Sequence, residues 1–504
     1  MQKVDTPPAQ NRELLERGGQ LAIFEGQLAA VRASSRGRIV FLGGEAGIGK
    51  TALVRRFCEV QDGSTRILAG ACDALFTPRP LGPIIDVAQT TGGELEHLLA
   101  DGGRPHEVAM ALWRELRNRH PTILVVEDLH WADEATLDVL KLLGRRIESV
   151  PALLVLTYRD DELDRGHPFR LLLGELPGGD EVVRLRLDRL SPSAVRELAQ
   201  SQGVDPEELY RKTAGNPFFV SEVLASGGAL IPNTVRDAVL ARAARLTAGA
   251  RSVLEAVAVV PDQAEPWLLE VLAGESLGHL SECLASGMLV SGSDGVAFRH
   301  QLARLAMEDS VDPARRRELN RRALVALADP PTGRPDVTRL AHHAEAANDA
   351  AATLEHARAA GGLASTRGAH REAGAQYERA LRSAGGEEAM RLADLQEKYA
   401  YERFLADYFE DAVRSQKAAV ESYRRAGMDL KVGASLRQLC QFLRCGGWPV
   451  EAKAAAREAL EILESLPPGP ELAMAYATQT FLAMNSGDLR KRSDGALVRS
   501  SWRN

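Results

Sequence analysis

Between residues 14 and 225, short apolar runs alternate with longer stretches of helical pattern. Ile39–Leu42, Arg66–Ala69, Ile123–Val126, Leu153–Thr157 and Val182–Leu187 read as strands, with helices between them. Near-continuous apolar strands separated by helices predict a parallel sheet covered on both faces. The pattern changes over residues 232–326. Helical runs at Thr234–Leu246, Ala248–Val259 and Leu277–Ser286 lead to Met288–Val290, a Ser291–Gly295 turn and Val296–Phe298. Helices followed by such a hairpin predict a winged-helix-like module. Asp329–Pro335 is a linker by composition.

From residue 338 the chain is Ala-rich, helical in pattern and repetitive. Glu372-Ala373, Asp411-Ala412 and Glu451-Ala452 recur at spacings of 39 and 40. Ala380-Leu381, Ala419-Val420 and Ala459-Leu460 keep the same register. Small–large pairs at a fixed helical position let neighbouring helices approach and interlock. The arrangement resembles a tetratricopeptide-like solenoid of longer period than usual. Gly487 keeps register with Gly447, but Lys491-Arg492 and Arg499-Ser500 stand where the next columns fall. The tail 489–504 is therefore expected to be irregular and basic.

The candidate chemistry begins at Gly44-Glu45-Ala46-Gly47-Ile48-Gly49-Lys50-Thr51, a GxxxxGK[ST] loop between a strand and a helix. The glycines let backbone N–H groups curl round a phosphate, which then sits on the positive end of the helix. Lys50 would reach the β- and γ-phosphates, and the Thr51 hydroxyl would ligate Mg²⁺. ATP or ADP with Mg²⁺ is the expected cofactor. Downstream, Ile123–Val126 ends in Glu127 and Asp128. ATP chemistry uses one acid on the Mg²⁺ side and another to orient water. The usual order is Asp first, so either carboxylate is a candidate for the metal. Glu127 is expected on the metal side and Asp128 beside the water. Arg159, at the next strand tip, either senses the γ-phosphate or pairs with Asp160, Asp161 or Glu162. Gly215-Asn216-Pro217 opens a helix.

Composition narrows the class. With 45% hydrophobic and 26% charged residues, the 504-residue chain reads as globular protein of about three domains. A net charge of −7 argues against binding nucleic acid through bulk charge. Met1–Gln10 lacks the apolar core of a signal peptide, and no uncharged run of 18 residues occurs. The five cysteines are scattered and read as buried thiols. A cytoplasmic location without membrane contact is expected.

Taken together, these residues resemble the STAND class of signal-transducing P-loop ATPases, a branch of the AAA+ group. More narrowly, the chain resembles the N-terminal part of large ATP-binding LuxR-type bacterial transcriptional regulators. The resemblance is carried by Leu14–Arg17, Gly44–Thr51, Ala71–Pro83, Val126–Asp133, Thr157–Arg159, Gly215–Phe219 and Phe298–His300. It implies an AAA+-like α/β ATPase domain over 14–230 after a disordered 1–13. A winged-helix-like module over 231–328, a linker over 329–337 and helical repeats over 338–488 follow. It further implies a switch, closed with ADP and opened by ATP plus an inducer, that then self-associates. By resemblance, Pro217 packs near the adenine and His300 touches the ADP β-phosphate. The residues alone read His300 equally as satisfied at the hairpin end. His130 and Trp131 would position the strand-tip loop.

Two departures stand out. Gly18-Gly19-Gln20 replaces the more polar run of relatives, which weakens an adenine-side role for Arg17. No segment reads as a terminal LuxR-type helix-turn-helix, so a truncated end and a genuine short form both remain open. The expectation is a signalling regulator with slow ATP hydrolysis, an inducer or protein partner on its repeats, and no specific DNA binding of its own. The alternative is an interaction scaffold that holds nucleotide without turnover.

Overall fold

The computed structural model describes residues 14–485, apart from 74, 76, 118–120, 165, 177–180, 201–203, 226–233 and 293–294. The expected disordered N-terminus and the basic tail with Arg490, Lys491, Arg492, Arg499 and Arg503 lie outside the described residues, as do Gly487 and part of the hairpin turn. Two compact units form, residues 1–326 and 327–504. Among the described residues, no helix is long and apolar enough to cross a membrane.

The first unit is built on five strands: β1 (Arg38–Gly43), β2 (Arg66–Ala71), β3 (Thr122–Glu127), β4 (Ala152–Tyr158) and β5 (Val182–Arg186). They form one parallel sheet in the order β2-β3-β4-β1-β5. Each lies within a residue or two of the run read from its apolar pattern. Ile39, Val40, Phe41 and Leu42 of β1 are buried to within 1%, because a central strand faces helices on both sides. On one face Val40 and Leu42 pack with Phe24 and Leu28 of the helix Gly18–Ser34, and with Leu53 and Phe57 of the helix Lys50–Glu59. On the other face Phe41 meets Phe169. This order sets β4 between the loop-bearing β1 and the acid-bearing β3, so three strand tips converge.

The helices Val235–Ala243, Ala248–Ala258, Pro266–Ala273 and Leu280–Ala285 precede an antiparallel pair, β6 (Leu289–Ser291) and β7 (Val296–Phe298). Pro266–Ala273 had no counterpart in the sequence pattern. Its segment, PWLLEVLA, is apolar almost all round and shows no single stripe. Ala264 bridges to Val296, extending the hairpin by one pairing.

The second unit is helical. The helices from Val337–Ala346 to Pro470–Asn485 follow one another through short turns. Asn348, Gly368, Asp407, Gly427 and Gly447 sit at these turns with positive φ, the left-handed residue that ends a helix. Phe409–Arg425 and Asp429–Cys445 are 17 residues each. Such a pair with its two turns accounts for the 40-residue period. Ala373, Ala412 and Ala452, with Ala380, Ala419 and Ala459, are buried to within 1%. Small side chains at such buried positions let neighbouring helices approach closely.

Candidate nucleotide-binding site

The loop Gly44–Gly49 leaves β1 and turns into the helix Lys50–Glu59. Gly47 and Gly49 hold φ of 75° and 98°, a region unfavourable to side chains. At Gly47 space also decides, since a Cβ would stand 2.8 Å from the Cβ of Phe218. The helix Pro217–Ala225 is packed against the loop and holds it. Asn216 Nδ2 donates to the Ala46 carbonyl at 3.0 Å, and the Phe218 N–H donates to the Gly47 carbonyl at 3.1 Å. Asn216 Oδ1 accepts from the N–H groups of Phe218 and Phe219, capping that helix. On the chain's N-terminal side, buried Arg17 donates to the carbonyls of Ile48 and Asp188, at 3.3 and 2.8 Å. Arg189 binds Glu45 at 2.7 Å. The backbone of the loop is thus gripped through carbonyls, the groups an anion does not use.

Lys50 is buried and donates Nζ to the carbonyls of Gly44 and Glu45, at 2.6 and 3.0 Å. Burial pulls its ammonium below the ordinary value, and the Asp128 carboxylate opposes this. Thr51 Oγ1 donates to Glu127 Oε2 at 2.6 Å. Asp128 takes a left-handed φ of 58°, and its N–H donates to Thr157 Oγ1 at 2.9 Å. The chain therefore bends between the two acids. Glu127 faces Thr51, while Asp128 faces the positive charges of Arg159 and Lys50. Burial raises both carboxyls above their usual range.

Of the two alternatives for Arg159, the structure contains the pairing with an adjacent acid. It lies on the wall of the cavity over the loop, pairs with Glu162, and stacks 4.5 Å above the Trp131 ring. The His130 ring is buried, 3.8 Å from Asp128 and 3.6 Å from Glu162. Burial, then the charges of Arg159 and Lys50, drives its pKa down to about 2, so it is neutral. Asp133 caps the helix Glu134–Gly144 through the Thr136 N–H and also accepts from the Leu81 N–H at 3.1 Å. That bond ties Ala71–Pro83 to the acid-bearing tip, although Ala74 and Phe76 lie outside the described residues.

His300 starts the helix Gln301–Ser310 after β7, its ring 4.4 Å from that of Phe218. Burial, followed by the charges of Arg299, Arg242 and Arg55, lowers its pKa to about 4. Lys50, Thr51, Asp128, Arg159, Phe218 and His300 line one cavity of about 260 Å³. Pro217 is half-buried at the head of its helix and is not on this wall; Asn216 and Phe218, its neighbours, touch the loop. Sequence reading had singled out Pro217 and passed over these two.

The donor set fits a polyphosphate carrying a hard divalent cation. Positive-φ glycines and a lysine frame the anion. The Thr51 hydroxyl and the Glu127 carboxylate are the oxygen donors Mg²⁺ prefers, with phosphate oxygens and water to complete its shell. Among the described residues, no group of three or more His, Cys, Asp or Glu could hold a metal on its own.

Several known proteins are similar to parts of this chain. An uncharacterised protein of Rhizobium meliloti (strain 1021) is 27% identical over 259 residues, 44% of this chain and 24% of its own length. The chain thus spans about a quarter of that curated relative. A signal transduction ATPase with numerous domains and a tetratricopeptide repeat sensor, from Pyrococcus horikoshii, aligns over 95% of this chain and 77% of its own, with 14% identity and a TM-score of 0.45. Cdc6p of Pyrobaculum aerophilum aligns over 60% of this chain and 97% of its own, with 14% identity and a TM-score of 0.34. Residues 13–156 match the family described as an AAA ATPase domain. This segment contains the loop after β1 and the acids after β3.

Proposed function

We propose that this chain is a nucleotide-controlled signalling switch of the STAND type, similar to LuxR-type regulators, that binds ATP and ADP with Mg²⁺ and hydrolyses ATP slowly. The observation that carries this reading is the cavity shared by Lys50 and His300, which lie 250 residues apart in the chain. A nucleotide there would touch both the loop and the segment after the hairpin, and its charge would bias how the two meet. Bound nucleotide supplies the phosphoanhydride and, with its metal, a local positive charge. Lys50 neutralises phosphate oxygens, Thr51 and Glu127 hold the metal side, and Asp128 accepts a hydrogen bond from the attacking water. Neutral His300 is able to donate to a phosphate oxygen. The helical repeats take the inducer or protein partner, and the ATP form self-associates.

Nucleotide titration tests the reading. Lys50→Ala should weaken ATP and ADP binding at least about tenfold, the scale of a lost charge-assisted contact. Equal affinity in wild type and variant would remove the site assignment. Single-turnover hydrolysis separates the switch from a static scaffold: retention of intact ATP over many hours with Mg²⁺ would favour the scaffold.

A further inference from the structure

Two cations on the cavity wall have no role in the site as described. Arg55 lies one helical turn beyond Thr51 on the helix Lys50–Glu59, and Arg299 directly follows β7. Both line the cavity, and both are exposed. Among the described residues, neither guanidinium makes an ion pair or a hydrogen bond. The other basic groups of the site are engaged. Lys50 holds loop carbonyls, Arg159 holds Glu162, and Arg242 holds buried Glu222 at 2.5 Å. Arg242 also stands behind Arg299, across Gly287. The acids of the site are engaged too, Glu127 by the Thr51 hydroxyl and the charges of Arg55 and Lys50, Asp128 by the charges of Arg159 and Lys50. Two arginines thus line one cavity from different segments, Arg55 feeling the charge of Glu127 and Arg299 that of Glu222, without a direct ion pair to either.

Resting on the nucleotide reading above, we propose that Arg55 and Arg299 form a two-armed clamp on the polyphosphate tail of the nucleotide. They select nucleoside di- and triphosphates over monophosphates and draw the hairpin β6–β7 toward the loop. Guanidinium forks suit this work because each presents parallel N–H donors to two phosphoryl oxygens. Their placement on two different segments that line one cavity makes the tail a bridge. One arm belongs to the helix that begins in the phosphate loop. The other belongs to the hairpin, whose Arg299 N–H closes back on the Met288 carbonyl at 2.9 Å. In the free protein the two cations repel each other across the cavity, and a bound polyanion reverses the sign of that interaction. The recognised chemistry is a chain of linked phosphates. A nucleotide tail and free pyrophosphate both offer it, and adenosine monophosphate offers only one phosphate.

The test measures affinities of the full chain for ATP, ADP, AMP and pyrophosphate with Mg²⁺, in wild type, Arg55→Gln, Arg299→Gln and Arg299→Lys. Both side chains are exposed, so the variants should fold, which circular dichroism checks. Arg299→Gln and Arg55→Gln should each weaken ATP and ADP roughly tenfold while moving AMP less than about twofold, and Arg299→Lys should recover part of the loss. ATP or pyrophosphate should slow amide exchange across 288–299 in wild type and not in Arg299→Gln. Pyrophosphate that protects the hairpin without nucleotide would assign the clamp to the phosphate chain; protection by ATP alone would assign it to the nucleotide tail. Equal shifts for all ligands, or none, with Lys50→Ala still defective, would overturn the clamp and leave the nucleotide site standing. Unimpaired binding by Lys50→Ala would remove the nucleotide reading and the clamp with it.

Discussion

Glu127 and Asp128 are adjacent in the chain yet serve different neighbours, because the left-handed φ of Asp128 turns the backbone between them. The amide variants should therefore differ. Glu127→Gln keeps a hydrogen-bond acceptor for Thr51 but loses the charge facing a metal, so ATP affinity should lose most of its Mg²⁺ dependence. Asp128→Asn should retain ATP and slow its turnover by about a hundredfold or more, the scale of a lost general base. Identical behaviour of the two in Mg²⁺ titration and single-turnover assays would make this tip structural. Stability carries a signature as well. Both carboxyls are raised by burial, so the folded state holds their protons more tightly than the unfolded chain. Their contribution is intact below the ordinary carboxylate pKa and is lost as pH rises through the raised values. Either amide should accordingly flatten the decline in melting temperature over that window. These roles were partly open to sequence reading, because a strand ending in two acids is a local pattern. The grip of Asn216 on Ala46, of Arg17 on Ile48 and of Asp133 on Leu81 was not. Side-chain bonds to backbone groups tens to hundreds of residues away leave no spacing in the chain.

At the scale of elements, β1, β3 and β4 could be read because each is a short apolar run buried on both faces, while the edge strands β2 and β5 are partly exposed and carry shorter apolar stretches. The repeats could be read because close helix approach demands alanine at fixed intervals. Pro266–Ala273 could not, since a helix without a polar face has no period to detect. The junction of loop and helix is the most sensitive contact between elements. Asn216→Ala removes the cap of Pro217–Ala225 and the bond to the Ala46 carbonyl together. It should cost about 1–2 kcal/mol by denaturant melting and weaken ADP as the loop loosens. If stability falls while affinity holds, Asn216 caps its helix and does not shape the loop. In the second unit, Ala412→Leu forces a larger side chain into a fully buried helix contact. A loss of roughly 1–3 kcal/mol in the melting of that unit is expected, with nucleotide affinity unchanged. A neutral result would mean the alanine columns are not where the helices touch.

Over the whole chain, the feature with most consequence is that residue 300 returns to the loop opened at residue 44. The pattern gave the hairpin and the resemblance gave a role for His300, but neither showed that Phe218 packs against its ring where the two segments line one cavity. His300→Ala should speed ADP release by about fivefold to tenfold, as one hydrogen bond to a charged phosphate is lost. It should also shift the protein toward the ATP-like form, read as a larger mass in light scattering with ATP. The imidazole has a pKa of about 4, so it is neutral from pH 6 to 8, and the gap between wild type and variant should be constant over that range. A gap that widens as pH falls from 7 to 6 would mean that an ADP-bound imidazolium, not the neutral ring, makes the contact. An unchanged ADP off-rate together with unchanged mass would return His300 to a packing residue at the hairpin end. The loop and the hairpin would then be neighbours in space with no shared control.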